Sequence, residues 1–150
     1  ATIEHLIHTE HVLSEIRRIL KEGGCLYLSA PNYCGVLYLA PFVLTGRTFH
    51  NPLDPRDRYE FFAHVRYFTY RTLLEFVSSV GFAPEAAYVP LPKESSKYLA
   101  LQRRAPAAAL FVRVVFYLIY RLLSPRWCSE PVICFRKCKG GGKAPRKVIL

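Results

Sequence analysis

The segment I-E-H-L-I-H-T-E-H-V-L-S-E-I-R-R-I-L-K-E-G-G-C-L-Y-L-S-A-P-N, residues 3–32, decides how the chain is read. Val12, Leu13, Ile16, Ile19 and Leu20 recur at helical spacing and predict one apolar face. Arg17, Arg18 and Lys21 lie mostly off that face and toward the C-terminal end, where a cation suits the helix dipole. Thr9 is placed to cap the start, Glu10 favours the positive end, and Gly23-Gly24 supplies the left-handed residue that stops the helix. Residues 25–30, C-L-Y-L-S-A, are apolar at nearly every position, which reads as a strand covered on both faces, the kind found in parallel α/β sheets. Ligands of such sheets bind at the carboxyl ends of strands, here Ser29 to Asn32.

A second helix–strand unit follows. Thr69 is the expected cap, Tyr70, Leu73, Leu74, Val77 and Val80 the apolar face, and Gly81 the ending, with Phe82 folding back on Val77. Residues 86–91 are the expected strand, closed by Pro90 and Pro92. Between the two units runs a connection, residues 33–68, with an apolar piece at 36–44 and a charged cluster at Arg56, Asp57, Arg58 and Glu60. So long a connection in a compact domain is functional or disordered, and its aromatic density argues for order.

These residues resemble the middle of class I S-adenosylmethionine-dependent methyltransferases. The pair Glu4-His5, the helix end R-R-I-L-K-E-G-G and the strand ending Pro31-Asn32 are similar to one block of that family; H-V-R-Y-F-T-Y-R-T-L-L-E-F-V-S-S-V-G-F, residues 64–82, is similar to a second. The two blocks lie in the family's order within residues 2–88. The resemblance implies an α/β fold holding part of a Rossmann-like methyltransferase sheet, from the end of the fourth strand through the seventh, with helices on its faces. It implies that residues 1–138 are the C-terminal half of such a domain. The glycine-rich loop after the first strand and the acidic residue after the second have no counterpart here, so a missing N-terminal half is expected as the chain's partner. Residues 131–137, P-V-I-C-F-R-K, would be the seventh strand, antiparallel between the fifth and sixth.

The site residues follow from the same resemblance. Glu4 and His5 match the pair beside the cofactor, S-adenosylmethionine; alternatively they satisfy helix-terminal amides. Pro31 and Asn32 stand at the substrate mouth, where Asn32 either holds the acceptor or serves as a turn residue. His64 is the candidate general base, since imidazole titrates near neutrality. Arg66 binds an acidic acceptor or pairs with Glu60. Tyr67 and Phe68 are read as packing. The expected reaction is methyl transfer to a small or lipid-like acceptor at oxygen.

Residues 107–123 depart from the compact pattern, with Arg113 and Arg121 the only charges in an apolar run inside an insertion at 98–125. Three readings stay open: a buried helix, a helix lying in the membrane interface, and an anchor. The interface reading makes a peripheral membrane contact through 107–123 and supports the alternative function, a non-enzymatic membrane-associated binding module on a truncated methyltransferase scaffold.

The balance of 21 basic against 11 acidic residues, +10 in net charge, suits polyanions or an anionic membrane as neighbours. No nucleic-acid motif accompanies it, and the basic run at 139–150, read as a flexible tail, has no interleaved aromatics, so no specific nucleic-acid partner is expected. Five cysteines show no C-x-x-C pair, and Cys134 and Cys138 lack two further ligands. Reduced thiols, no metal and a cytoplasmic location, peripheral at the membrane if the interface reading holds, are the corresponding expectations.

Overall fold

The computed structural model describes residues 2–47, 52–55, 58–91, 96–138 and 145–150. Its frame is a four-stranded mixed sheet in the order β1-β3-β2-β4, with β1 Cys25–Ser29, β2 Phe82–Val89, β3 Val132–Lys137 and β4 Arg146–Ile149. β3 is antiparallel to β1 (Tyr27 opposite Cys134) and to β2 (Ala87 opposite Ile133), and β4 runs parallel to β2. The placement of 131–137 between the two earlier strands is therefore as expected. Among the described residues β1 is an edge strand whose one partner is antiparallel, so they include no parallel neighbour for 25–30.

Helix α1, Thr9–Ile19, follows a short 3-10 turn at Ile3–His5. Its cap residue is His8, without a side-chain cap bond; Thr9 lies in the first turn and donates its hydroxyl back to the Leu6 carbonyl at 2.9 Å, so the expected Thr9 cap is corrected. The helix ends at Ile19 with Leu20 already extended, and Gly23 (φ 71°) instead makes the turn into β1. Helix α4, Tyr70–Ser79, matches its sequence closely. The Thr69 hydroxyl accepts from the Thr72 N–H at 3.2 Å and the Thr72 hydroxyl accepts from the Thr69 N–H at 2.9 Å, a reciprocal cap. Gly81 ends it at φ 92°, where a Cβ would also stand 2.5 Å from Arg17 Nε.

Both helices cover the same face. Leu13 of α1, Leu73 and Val77 of α4, Phe82, Ile133 and Phe135 form one buried cluster, with Leu26 and Leu28 packed against it. The alternate residues of β1 look the other way, and Tyr27 is 60% exposed. The near-continuous apolar run thus overstated the cover, because period-2 alternation sends Tyr27 to a face that neither helix reaches.

Helix α2, Val36–Thr45, forms from the apolar piece of the long connection and buries no residue, while α3, Arg58–Ala63, leads into His64. β2 starts at Phe82 rather than at 86, with a bulge between Pro84 and Ala86. Helices α5, Ser96–Arg104, and α6, Pro106–Leu122, lie between β2 and β3. The buried reading of 107–123 is half corrected: Phe116, Ile119 and Tyr120 pack against Val89 and Ile149, but Phe111 and Leu122 are 69% and 82% exposed. No helix among the described residues is long and apolar enough to cross a membrane, which removes the anchor reading for α6. The flexible-tail reading of 139–150 is also corrected in part. Residues 146–149 pair with β2, and Lys147 Nζ donates to the carbonyls of Tyr120, Arg121 and Leu123 at 2.7–2.9 Å, which capture the last turn of α6; residues 139–144 lie outside the described residues.

Candidate functional site beyond the carboxyl end of β1

Two segments some sixty positions apart are laced together by the backbone. The Glu4 carbonyl accepts from the N–H groups of Val65 and Arg66, both at 3.0 Å. His5 Nδ1 lies 2.9 Å from the Ala63 carbonyl. A carbonyl only accepts, so Nδ1 donates to it and Nε2 is the ring nitrogen left to face Glu4. That nitrogen faces Glu4 Oε1 at 3.6 Å.

Glu4 is 2% exposed, and its second carboxylate oxygen, Oε2, has no hydrogen-bond partner among the described residues. A buried carboxylate short of donors is costly, which marks the position as more than a packing choice. His64 completes the group. It is 7% exposed, its ring centre stands 4.7 Å from that of His5, and its Nδ1 lies 2.9 Å from the Tyr33 hydroxyl. Glu4, His5 and His64 each bring a ligand atom within 4.8 Å of the other two, a set of two imidazoles and one carboxylate able to hold a divalent cation. The expectation of no metal came from reading the cysteines and their spacing. This set escapes spacing rules because folding, not sequence separation, assembles it.

Tyr33 went unnoticed in the sequence, although it directly follows Pro31-Asn32. Its ring packs 5.1 Å from Tyr38 and 4.9 Å from Tyr67, so α2 and the segment after α3 place an aromatic wall beside the His64 ring. Tyr67 is 58% exposed rather than packed, while Phe68 is buried in the main cluster as expected. The wall and the two histidines share one region with the carboxyl end of β1.

Asn32 is placed differently from the reading that gave it the acceptor. Its Nδ2 donates to the carbonyls of Arg126 (2.7 Å) and Cys128 (2.6 Å), and its Oδ1 accepts from the N–H groups of Tyr70 (2.8 Å) and Cys34 (3.3 Å). Both donors and both lone pairs are spent, at 2% exposure, so Asn32 is a clamp that joins the loop after β1, the start of α4 and the segment before β3. Pro31 is buried beside it and offers no polar side chain. The substrate-binding reading of this pair is corrected. Arg66 is exposed and donates from Nη2 to the Ile7 carbonyl at 2.7 Å. It lines an open groove of about 380 Å³ with His8 and His11, apart from the Glu4–His64 group; the Glu60 side chain, its expected partner, lies outside the described residues.

Among the described residues Cys25, Cys34, Cys128 and Cys134 form no disulfide. Burial pushes the Cys128 thiol up from its ordinary range and does the same to Cys134. Cys25, Glu85 and Cys134 also approach one another, but the Glu85 carboxylate is engaged by Arg136 Nη2 at 2.8 and 2.9 Å. No protein-family profile matches the chain, and no curated protein does.

Proposed function

We propose that the chain is the rear part of a class I S-adenosylmethionine-dependent methyltransferase domain acting on a small or lipid-like acceptor at oxygen. The observation that carries this reading is the strand order: β3 lies between β1 and β2 and is antiparallel to both, the arrangement that the resemblance implies for the fifth, seventh and sixth strands. Helices α1 and α4, each preceding its strand, cover one face of the sheet.

The cofactor, when bound, supplies an electrophilic methyl group. The chain's own task is alignment and removal of the acceptor's proton. His5, the more accessible member of the acidic-His pair at 33% side-chain exposure, borders the cofactor, and the buried Glu4 holds its ring from behind. His64, fixed through Nδ1 by the Tyr33 hydroxyl, takes up the proton.

Calorimetric titration of S-adenosylmethionine against this chain and against one extended upstream tests the reading. The extended chain is expected to bind at least tenfold more tightly, because a cofactor cradle at earlier strand ends would then be present; no binding by the extended chain ends the proposal. In that extended chain His64→Ala is expected to lower turnover by about a hundredfold, the ordinary worth of a positioned base. Unchanged turnover would remove His64 from the reaction.

A membrane-associated binding module is the second reading, favoured by α6. Leu110, Phe111, Val114, Leu118 and Leu122 form an outward apolar stripe with Arg113 and Arg121 exposed on or beside it, and residues 96–124 contain no acidic side chain. Sedimentation with vesicles rich in anionic lipid is expected to carry down a substantial fraction of the protein at low salt, and Phe111→Glu with Leu118→Glu to release it. Full recovery in the supernatant would end this reading.

A further inference from the structure

We infer that Glu4, His5 and His64 form a divalent-cation site that binds a transition metal through two imidazole nitrogens and one carboxylate. Metal binding is read without any turnover; with His64 Nδ1 held by Tyr33, an ion would occupy the ring nitrogen that the methyl-transfer reading assigns to proton uptake.

Three observations converge on it. The first is proximity: one ligand atom from each side chain lies within 4.8 Å of the others. That spacing is a little wider than an ion with bonds of roughly 2.0–2.2 Å would set, so binding would draw the three groups inward. The second is the unsatisfied carboxylate. Glu4 is buried, its Oε2 has no hydrogen-bond partner among the described residues, and its Oε1 lies 3.6 Å from His5 Nε2. A buried carboxylate with an unpartnered oxygen is costly, and a bound cation would supply the missing partner.

The third is orientation. Metal-bound imidazoles commonly anchor their other ring nitrogen on a carbonyl or a neighbouring polar group, which fixes the ring and its tautomer. His5 does this through Nδ1 on the Ala63 carbonyl at 2.9 Å, and His64 places its Nδ1 2.9 Å from the Tyr33 hydroxyl. The backbone bonds from Val65 and Arg66 to the Glu4 carbonyl fix the two ligand segments relative to each other.

Imidazole ligands favour zinc, copper, iron or nickel over magnesium, calcium and manganese, which prefer oxygen ligands. With three protein ligands, the ion would keep further positions for water or an oxygen ligand on the side of the half-exposed His5. The Cys25–Glu85–Cys134 group is the weaker candidate, because Arg136 already neutralises Glu85.

Zn²⁺, Mn²⁺ and Mg²⁺ titrated separately into chelator-treated protein, followed by calorimetry and by thermal unfolding, test the site. One equivalent of Zn²⁺ is expected to bind and raise Tm, with Mg²⁺ at least a hundredfold weaker. His64→Asn is expected to weaken Zn²⁺ at least tenfold, and Tyr33→Phe by a smaller factor. Glu4→Gln separates metal loss from misfolding. It keeps the side chain's shape and removes a buried charge, so the metal-free variant is expected to unfold at or above the parent's Tm while losing the Zn²⁺-dependent rise. His8→Ala and His11→Ala, on the separate groove, are expected to leave affinity unchanged. The inference is overturned if the parent binds no Zn²⁺, or if Glu4→Gln or His64→Asn binds it as tightly as the parent; Glu4 and His5 then simply share a proton.

Discussion

Asn32→Asp is expected to be among the most damaging single changes to this fold, costing about 3–5 kcal/mol in chemical denaturation, the range for breaking a buried charged or polar network. The Asn32 amide nitrogen donates to two carbonyls at 2.6 and 2.7 Å. An aspartate would replace that nitrogen with an oxygen pointed at both, leaving one carboxylate oxygen against two acceptors while only the other keeps the N–H groups of Tyr70 and Cys34. Asn32→Ala should cost less, about 2–3 kcal/mol, because it removes the partner of buried groups without adding a charge. Burial raises the carboxyl pKa of the Asp variant in the folded state above its unfolded value. Its deficit against the parent is therefore full above the folded pKa and shrinks as pH falls toward the ordinary carboxylate range near about 3.9. If both variants unfold within about 0.5 kcal/mol of the parent, Asn32 is not the clamp described above and returns to the list of residues free to hold an acceptor.

Phe135→Ala and Tyr27→Ala together form the second large prediction. Phe135 is fully buried on the central strand β3, packed in the cluster that α1 and α4 close, and its truncation is expected to cost about 3–5 kcal/mol. Tyr27 lies on the neighbouring strand but on the opposite face, 60% exposed, and its truncation should cost under about 1 kcal/mol. Its phenol has its pKa pushed up to about 12, first through the hydrogen bond with the Cys134 thiol. Urea unfolding with an unchanged slope would show that both numbers report native contacts rather than a changed denatured state. Equal costs for the two would mean that the Tyr27 face is covered, and that the sheet is packed on both sides as the unbroken apolar run of β1 suggests.

The candidate site was legible in part. His64, Glu4 and His5 were singled out as separate agents, a base and a cofactor-binding pair, and the structure brings all three into one group. Their shared geometry could not be read because the ties run from position 4 to positions 65 and 66 through backbone atoms, which carry no residue signature. Asn32 misled for a similar reason. An asparagine after a strand looks alike whether its amide is open or spent, and its donors are spent on carbonyls 94 and 96 positions away.

What the sequence determined by itself is local: the helix of residues 70–79 between Thr69 and Gly81, the existence of α1 and of the 25–29 strand, and, through resemblance, the place of 132–137 between its neighbours. Hydroxyl caps, left-handed glycines and i, i+4 apolar repeats act across a few residues, so each leaves its mark in the order of the letters. Tertiary structure alone decided which face of the sheet α1 and α4 cover, that Arg146–Ile149 joins as β4, and that Glu4, His5, His64 and Tyr33 meet. Those outcomes depend on which distant surfaces exclude water together and which backbone groups then find partners, a competition settled over the whole chain at once.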